Sequence, residues 1–367
     1  MSLYLLTIPV LFLLGVTLWT VLSWPKVART NQSFPGKVSV LIPARNEEDR
    51  LGECLESVLR QDETVGEILV YDDHSTDGTA RVVGAYARRD VRLRPLAPVP
   101  LDAGWCGKNF ACAQLARAAT AEWLLFLDAD ARLAEGAVRS LLGEALRREQ
   151  TLFSGWPRLE LGGFWERALM PMLNFVVFSV FPAPLSLRFP YPSLGLLHGA
   201  CVLAHRATYE AVGGHGAVRD QIFEDTRLAR LWRRGGRRGL CLDGGDLVSV
   251  RMYESLGGIW RGFEKNFYLG FRRETSFWAL ILCHAIFFLS PFLLLLWSQS
   301  RPVTLAAAGV LGIRLLLVLR FRHPWWSALV HPLAEALLIA LGLTSWWKCK
   351  SGRGVEWKGR QYYPSRS

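Results

Sequence analysis

Trp123-Leu124-Leu125-Phe126-Leu127-Asp128-Ala129-Asp130 is an apolar run that ends in two carboxylates flanking one small residue. Its length and composition suit a buried strand, and the acidic pair falls where that strand must stop. Two upstream stretches have the same form. Val38-Ser39-Val40-Leu41-Ile42-Pro43 leads into Ala44-Arg45-Asn46-Glu47, and Glu67 to Tyr71 leads into Asp72-Asp73-His74-Ser75. Between them, Leu51, Leu55, Val58 and Leu59 recur at helical spacing within Asn46 to Arg60. Asp77 is placed to cap a helix opening at Gly78-Thr79, and a third helix follows Lys108. Strands separated by helices predict an α/β fold with a mainly parallel sheet and right-handed crossovers. Ligands of such sheets sit at the carboxyl ends of the strands, where all three polar clusters fall.

The chain has 367 residues, enough for one large or two small domains, and 51% of them are hydrophobic. Lys and Arg number 43 against 32 Asp and Glu, a net charge of +11. That surplus suits phosphate-rich partners. No zinc-finger spacing or nucleic-acid module accompanies it, so nucleic acid is excluded as a partner and anionic lipid is expected instead. The seven cysteines (54, 106, 112, 201, 241, 283 and 349) are scattered and include no Cys-x-x-Cys pair. Free thiols in a reducing compartment are expected.

Four stretches read as membrane segments: Leu3 to Ser23, Trp278 to Trp297, Val303 to Leu319 and Trp325 to Trp347. The first lacks the basic start and small-residue end of a secretory signal and reads as a retained anchor. Lys26 and Arg29 then place the main domain in the cytoplasm of an inner-membrane, multi-pass protein. Four crossings would put the basic tail outside, against the same rule, so one late segment is expected to be re-entrant or interfacial. Arg314, His331 and Glu335 either line a polar pathway or pack between helices. Phe164 to Leu185, broken by prolines, reads as an interfacial amphipathic helix. The expected segments are an anchor at 1–24, a first ligand-binding half at 37–160 and a second half with interfacial helices at 161–275. Transmembrane or re-entrant helices at 277–347 and a basic tail at 348–367 follow.

Asp128 and Asp130 offer oxygen ligands suited to Mg²⁺ or Mn²⁺, with a diphosphate to complete the shell. Asp-x-Asp alone is more often a solvated turn; its place at a strand end favours metal. Asp72 and Asp73 repel one another unless a donor such as a uracil N–H accepts one of them, or else they cap a turn. Lys108 follows a Gly-bracketed loop that lacks Walker spacing, and it reaches toward a diphosphate or is a surface lysine. Glu224 and Asp225 open a helix, where the macrodipole favours carboxylates. In the functional reading Asp225 is a general base toward an acceptor hydroxyl. Arg233, Arg234, Arg237 and Arg238 at the end of that helix bind lipid headgroups or form a solvated face. The nucleotide-sugar side is expected to comprise Pro43, Ala44, Arg45, Glu47, Asp72, Asp73, Lys108, Asp128 and Glu224. The acceptor or diphosphate side is expected to comprise Trp105, His198, Gly199, Trp260, Arg261, Lys265, Trp357 and Arg360, although packing explains His198 as well.

VSVLIPARNEE (38–48), ILVYDDHSTDGT (68–79), LFLDADARL (125–133) and Phe223-Glu224-Asp225, in this order, resemble the inverting family-2 glycosyltransferases of GT-A fold, a Rossmann-like α/β architecture. GWCGKNFACA (104–113), VRMY (250–253) and GVEWKGRQY (354–362) narrow the resemblance to the carotenoid glycosyltransferases that glucosylate diaponeurosporenoate. The resemblance implies transfer of glucose from UDP-glucose to a carotenoid carboxylate or hydroxyl. It also implies uracil at Asp72 or Asp73, metal at Asp128 with Asp130, and a base at Asp225. The Gln-x-x-Arg-Trp of processive relatives is absent: the local sequence is Ile259-Trp260-Arg261-Gly262-Phe263-Glu264-Lys265-Asn266, which favours a single transfer. A carboxylate acceptor is already ionised and makes less demand on Asp225. The rival readings are another lipid acceptor (hopanoid, diacylglycerol, ceramide-like or polyprenyl phosphate) and a non-catalytic membrane scaffold.

Overall fold

The computed structural model describes residues 4–271 and 273–362, the side chains of 355–357 and 362 excepted. The chain forms two compact units. One combines 25–160 with 185–251, and the other combines 1–24, 161–184 and 252–367. This grouping cuts across the linear segments expected from the sequence. Residues 201–205 and 240–243 are strands of the central sheet, so 185–251 belongs with the sheet unit.

The sheet unit is built on β1 (Val38–Ala44), β2 (Val65–Asp72), β3 (Leu93–Leu96), β4 (Trp123–Leu127), β5 (Ala131–Leu133), β6 (Leu152–Trp156), β7 (Arg158–Leu159), β8 (Cys201–His205), β9 (Leu240–Asp243) and β10 (Val248–Val250). The seven-stranded main sheet has the order β3-β2-β1-β4-β8-β6-β9, and β5-β10-β7 form a small second sheet. β1 pairs in parallel with both β2 and β4, and β2 with β3. β8 runs antiparallel to both β4 and β6. Every residue of β4 and β6 is buried, as a strand covered on both faces requires.

Successive strands depart from β1 in opposite directions, which makes the β1–β4 gap a topological switch point. The local sequence widens that gap. Pairing of β1 with β4 stops at Leu41–Phe126, and Pro43, just beyond, has no N–H to extend it. Under the sheet, Leu41, Tyr71, Phe110, Leu115, Phe126 and Trp232 form part of one buried core. At the far edge, β9 is covered by the chain segment that leads into the sheet unit. Val27 N–H donates to Asp243 O at 2.8 Å, and Asp243 N–H donates to Pro25 O at 3.1 Å.

Element boundaries differ from the sequence reading where backbone conformation intervenes. The first helix of the unit is Leu51–Leu59 and starts later than expected, because Asn46 adopts a positive φ of 51° and 47–50 form a turn. Gly78, not Asp77, precedes helix Thr79–Ala87. Asp77 still accepts from the Thr79 N–H at 3.0 Å and its hydroxyl at 2.6 Å.

The second unit holds the apolar helices. Among the described residues, three are long and apolar enough to cross a membrane: Tyr4–Ser23, Glu274–Leu295 and Arg301–Phe321. By that measure the chain is a membrane protein. Gly309 and Gly312 let helix Arg301–Phe321 approach helix Tyr4–Ser23; a Cβ on Gly309 would lie 2.9 Å from Val10 Cγ1. The fourth apolar stretch is interrupted: a tight turn, Trp325–Ala328, precedes helix His331–Lys350. The stretch expected as one amphipathic helix is three short ones, Phe164–Leu169, Pro171–Phe178 and Ala183–Arg188. Prolines 171, 182 and 184 sit at the breaks, where they cannot continue the preceding turn.

Arg314, His331 and Glu335 are buried inside this unit together with His284, which sequence reading passed over. His284 Nδ1 lies 2.6 Å from Glu335 Oε1, and His331 Nε2 lies 3.9 Å from Glu335 Oε2. Arg314 donates to the Pro171 and Ser327 carbonyls at 3.3 and 2.9 Å. Asn174 Nδ2 meets His323 Nε2 at 2.9 Å.

Candidate active site

Three sequence features converge at the carboxyl end of β4. Asp128 follows β4 directly, and its N–H donates to Ala200 O at 3.1 Å. Helix Gly107–Ala118 places Lys108 in its first turn. Helix Glu224–Arg234 opens with Glu224 and Asp225. Lys108 Nζ bridges them, 2.7 Å from Asp128 Oδ1 and 2.8 Å from Glu224 Oε1. Burial opposes the ammonium charge, but the Asp128 and Glu224 carboxylates outweigh it and hold Lys108 well above its ordinary pKa.

Asp225 is fixed by the backbone: Gly199 N–H donates to Oδ2 at 2.8 Å, and Thr226 N–H donates to Oδ1 at 2.5 Å. Burial, then repulsion from Glu224, pushes its carboxyl up to about 7, against the pull of Lys108 and the two amides. Gly199 leaves the room for this meeting. A Cβ there would lie 3.2 Å from Asp225 Oδ2, 3.4 Å from Lys108 Nζ and 3.5 Å from Glu224 Oε1. Pro43, Lys108, Asp128, Gly199, Glu224 and Asp225 line one cavity, and His215 also faces it.

Asp130 is half-buried, and among the described residues its carboxylate has no hydrogen-bond or ion-pair partner. Burial, then repulsion by Asp128 and Glu47, pushes it up to about 7. Among the described residues, no three His, Cys, Asp or Glu side chains are arranged to hold a metal by themselves. An unpartnered carboxylate two residues from Asp128 fits a cation whose remaining ligands come from elsewhere, such as a diphosphate.

At the end of β2, Asp72 Oδ1 accepts from Ser75 N–H at 3.1 Å and closes the turn, while Asp73 is buried. Arg45 donates to the Asp73 carbonyl at 2.5 Å and so ties the β1 and β2 ends together. Tyr71 pins the neighbouring loop, its hydroxyl accepting from Val99 N–H at 3.0 Å and contacting Val99 O at 3.2 Å. Ala44 is buried at the end of β1, and the Glu47 N–H donates to Thr79 Oγ1 at 2.8 Å.

His198 packs edge-on against Trp156, and its Nδ1 accepts from Ala200 N–H at 3.2 Å. Burial lowers its pKa to about 4, so it is neutral at pH 7. Trp105 packs on Phe110. Trp260, Arg261 and Lys265 lie on helix Leu256–Phe267 of the other unit, and Arg360 lies on its short strand Arg360–Tyr362. The side chain of Trp357 falls outside the described residues.

Sequence reasoning missed two supporting residues. Asn109 is buried and its Nδ2 donates to the carbonyls of Val218, Arg219 and Gln221 at 2.7, 3.2 and 2.9 Å, holding the loop that precedes Phe223-Glu224-Asp225. The only signal was its place beside Lys108 in the Gly104–Ala113 stretch. His215 meets Tyr209 Oη at 2.8 Å and packs on Phe126; burial lowers its pKa to about 3.

A family model described as Glycosyl transferase family 2 matches residues 39–213, which span the strand ends just described. Two 4,4'-diaponeurosporenoate glycosyltransferases of Staphylococcus aureus, from strains USA300 and bovine RF122 / ET3-1, are each 28% identical to this chain. In both cases the match covers 90% of this chain and 89% of the relative. The solved structure of mannosyltransferase PcManGT from Pyrobaculum calidifontis, in complex with GDP-Man and Mn2+, is similar in fold. It has a TM-score of 0.60 at 19% identity and covers 94% of this chain and 99% of its own. The strand-end carboxylates from Asp72 to Asp130 thus lie in a region, 39–213, that matches the family-2 glycosyltransferases, on a fold of the GT-A kind.

Proposed function

We propose that this protein moves a single hexose, with inversion, from a nucleotide sugar (UDP-glucose first) to a lipid acceptor, a carotenoid carboxylate or hydroxyl. The observation that carries the reading is the meeting of Lys108, Asp128, Glu224 and Asp225 around one cavity at the end of β4. The similarity to the diaponeurosporenoate glycosyltransferases supports the lipid acceptor.

Asp225 holds both carboxylate oxygens in place through backbone amides, so its orientation costs no side-chain rearrangement when an acceptor arrives. With its carboxyl raised to about 7, it is matched to accept a hydroxyl proton near neutral pH. Lys108, already bridging two carboxylates, presents a positive charge to the diphosphate at a helix N-terminus. Asp72 or Asp73 takes the uracil N–H, and Arg45 fixes the turn that carries them. Asp128 and Asp130 would hold Mg²⁺ or Mn²⁺, which when bound neutralises charge on the departing nucleoside diphosphate.

Three crossings remove the conflict over the tail. With Lys26 and Arg29 inside, the third crossing returns the chain to the cytoplasm, where a basic tail belongs. The sheet unit and the tail are then both cytoplasmic.

The test is release of nucleotide by the protein in lipid nanodiscs, supplied with UDP-glucose, UDP-galactose, UDP-GlcNAc or GDP-mannose, with and without diaponeurosporenoate. Acceptor-dependent release of UDP from UDP-glucose, with a β-linked product by NMR, is the expected result. Release only with a hopanoid, diacylglycerol or ceramide would move the acceptor. No acceptor-dependent release with any donor would overturn glycosyl transfer to a lipid.

A further inference from the structure

We infer that the end of helix Glu224–Arg234 and the segment 186–191 form one platform that docks on anionic phospholipid headgroups. From the sequence, the arginine run 233–238 was equally a lipid-binding or a solvated face. The structure separates its members by role.

Arg233 is only 3% exposed, and its guanidinium is spent inside the protein. It donates to the carbonyls of Phe189 at 2.7 Å, Ser186 at 2.8 Å and Gly239 at 2.9 Å. Arg238 adds a fourth tie, to Leu187 O at 3.0 Å. These bonds lash the 186–189 backbone to the helix end, so the two segments move as one body.

What the platform displays is basic and aromatic. Arg188, Arg234, Arg237 and Arg238 are exposed. Among the described residues none of the four makes an ion pair. Exposed arginines elsewhere in this unit are often neutralised, as Arg89 is by Glu56 and Arg147 by Glu144. Tyr191, 60% exposed, stacks on Phe189 at 5.8 Å, and the Arg188 guanidinium lies 5.8 Å from the Phe189 ring. Four guanidiniums without a carboxylate partner match phosphate oxygens in charge, and among the described residues those of Arg188, Arg234 and Arg237 are not tied to the platform's own carbonyls. A half-exposed aromatic pair beside them suits the boundary between headgroups and acyl chains. A solvated face has no use for the aromatic pair. The same chain carries helices long and apolar enough to cross a bilayer, which brings lipid headgroups within its reach. The partner is therefore the phosphate-bearing surface of an anionic leaflet.

The test reads backbone amide exchange in the full protein held in nanodiscs of phosphatidylcholine alone or with phosphatidylglycerol. Amides of 187–191 and 234–238 should exchange more slowly in the anionic discs, and added salt should remove the difference. The triple variant R188S/R234S/R237S keeps Arg233 and Arg238, so the platform itself persists. Each arginine near an anionic surface contributes about fivefold in binding, so the triple variant should lose the protection by at least about tenfold. Its exchange in phosphatidylcholine should match the wild type, which controls for folding. Equal exchange in both lipids, or an unchanged difference in the triple variant, would overturn the proposal. So would arginine-dependent binding of a fluorescent single-stranded RNA without any lipid effect.

Discussion

The molecule contains two clusters of opposite charges, and their surroundings separate them. In the sheet unit, Lys108 sits between Asp128 and Glu224 with the three side chains 38%, 29% and 10% exposed, facing a cavity. In the membrane unit, His284, Glu335 and His331 are buried, and His284 Nε2, His331 Nδ1 and Glu335 Oε2 have no hydrogen-bond partner among the described residues. The first cluster faces a cavity, and its carboxylates outnumber its one ammonium group. The second has no access, and its groups hold helices to one another. Titratable groups drawn together are therefore not enough to mark a site; an opening that a substrate can enter is the discriminating feature.

The largest expected effect tests the first cluster. Asp225→Asn should lower transfer to a hydroxyl acceptor by about 10²–10⁴-fold while UDP binding, followed by calorimetry, is unchanged. Wild-type transfer should rise with pH and level off above about 7, because below that value Asp225 already carries the proton it would accept. The same shift has the opposite sign for stability. The folded protein binds this proton more tightly than the unfolded chain, so its contribution is fully present in acid and is lost as pH rises through about 7. A flat pH profile with a small Asp225→Asn effect would mean that the acceptor arrives already ionised.

The second cluster is broken by Glu335→Ala, which should cost about 3–5 kcal/mol of unfolding free energy in detergent, since it strands a buried histidine pair. Glu335→Gln, which keeps an oxygen near His284, should cost clearly less. If both variants unfold like the wild type, the cluster is not cohesive. A smaller effect is expected from Gly199→Ala. The new methyl would crowd Asp225 Oδ2 at 3.2 Å and should slow transfer by about tenfold, with the melting temperature nearly unchanged. Smallest is Lys37→Ala, which removes the exposed pair with Glu122 and should change stability by under ~1 kcal/mol.

Trp123–Leu127 was legible residue for residue because an unbroken apolar run bounded by Asp128 has one reading. β1 and β2 were legible to within two residues for the same reason. The positions of Asp128, Glu224 and Asp225 at element ends followed from the pattern as well. The Lys108 bridge did not, because it joins residues far apart in the chain and no local periodicity encodes it. Asn109 escaped for a different reason: its partners are backbone carbonyls, which leave no trace in side-chain pattern. The late membrane helices were the least legible. Trp325 to Trp347 is apolar enough in outline, but the turn at Trp325–Ala328 is a matter of packing.

The backbone ladder between Val27 and Asp243 has a consequence in time. Its two strands of chain are made far apart on the ribosome, about 200 residues from one another. At ~5–20 residues per second, the segment beside the anchor waits about 10–40 s for its partner. During that interval the segment 25–27 has no strand to pair with. Mutation in the segment 25–27, which is made first and waits, should therefore act on the yield of folded protein during synthesis more than on its equilibrium stability.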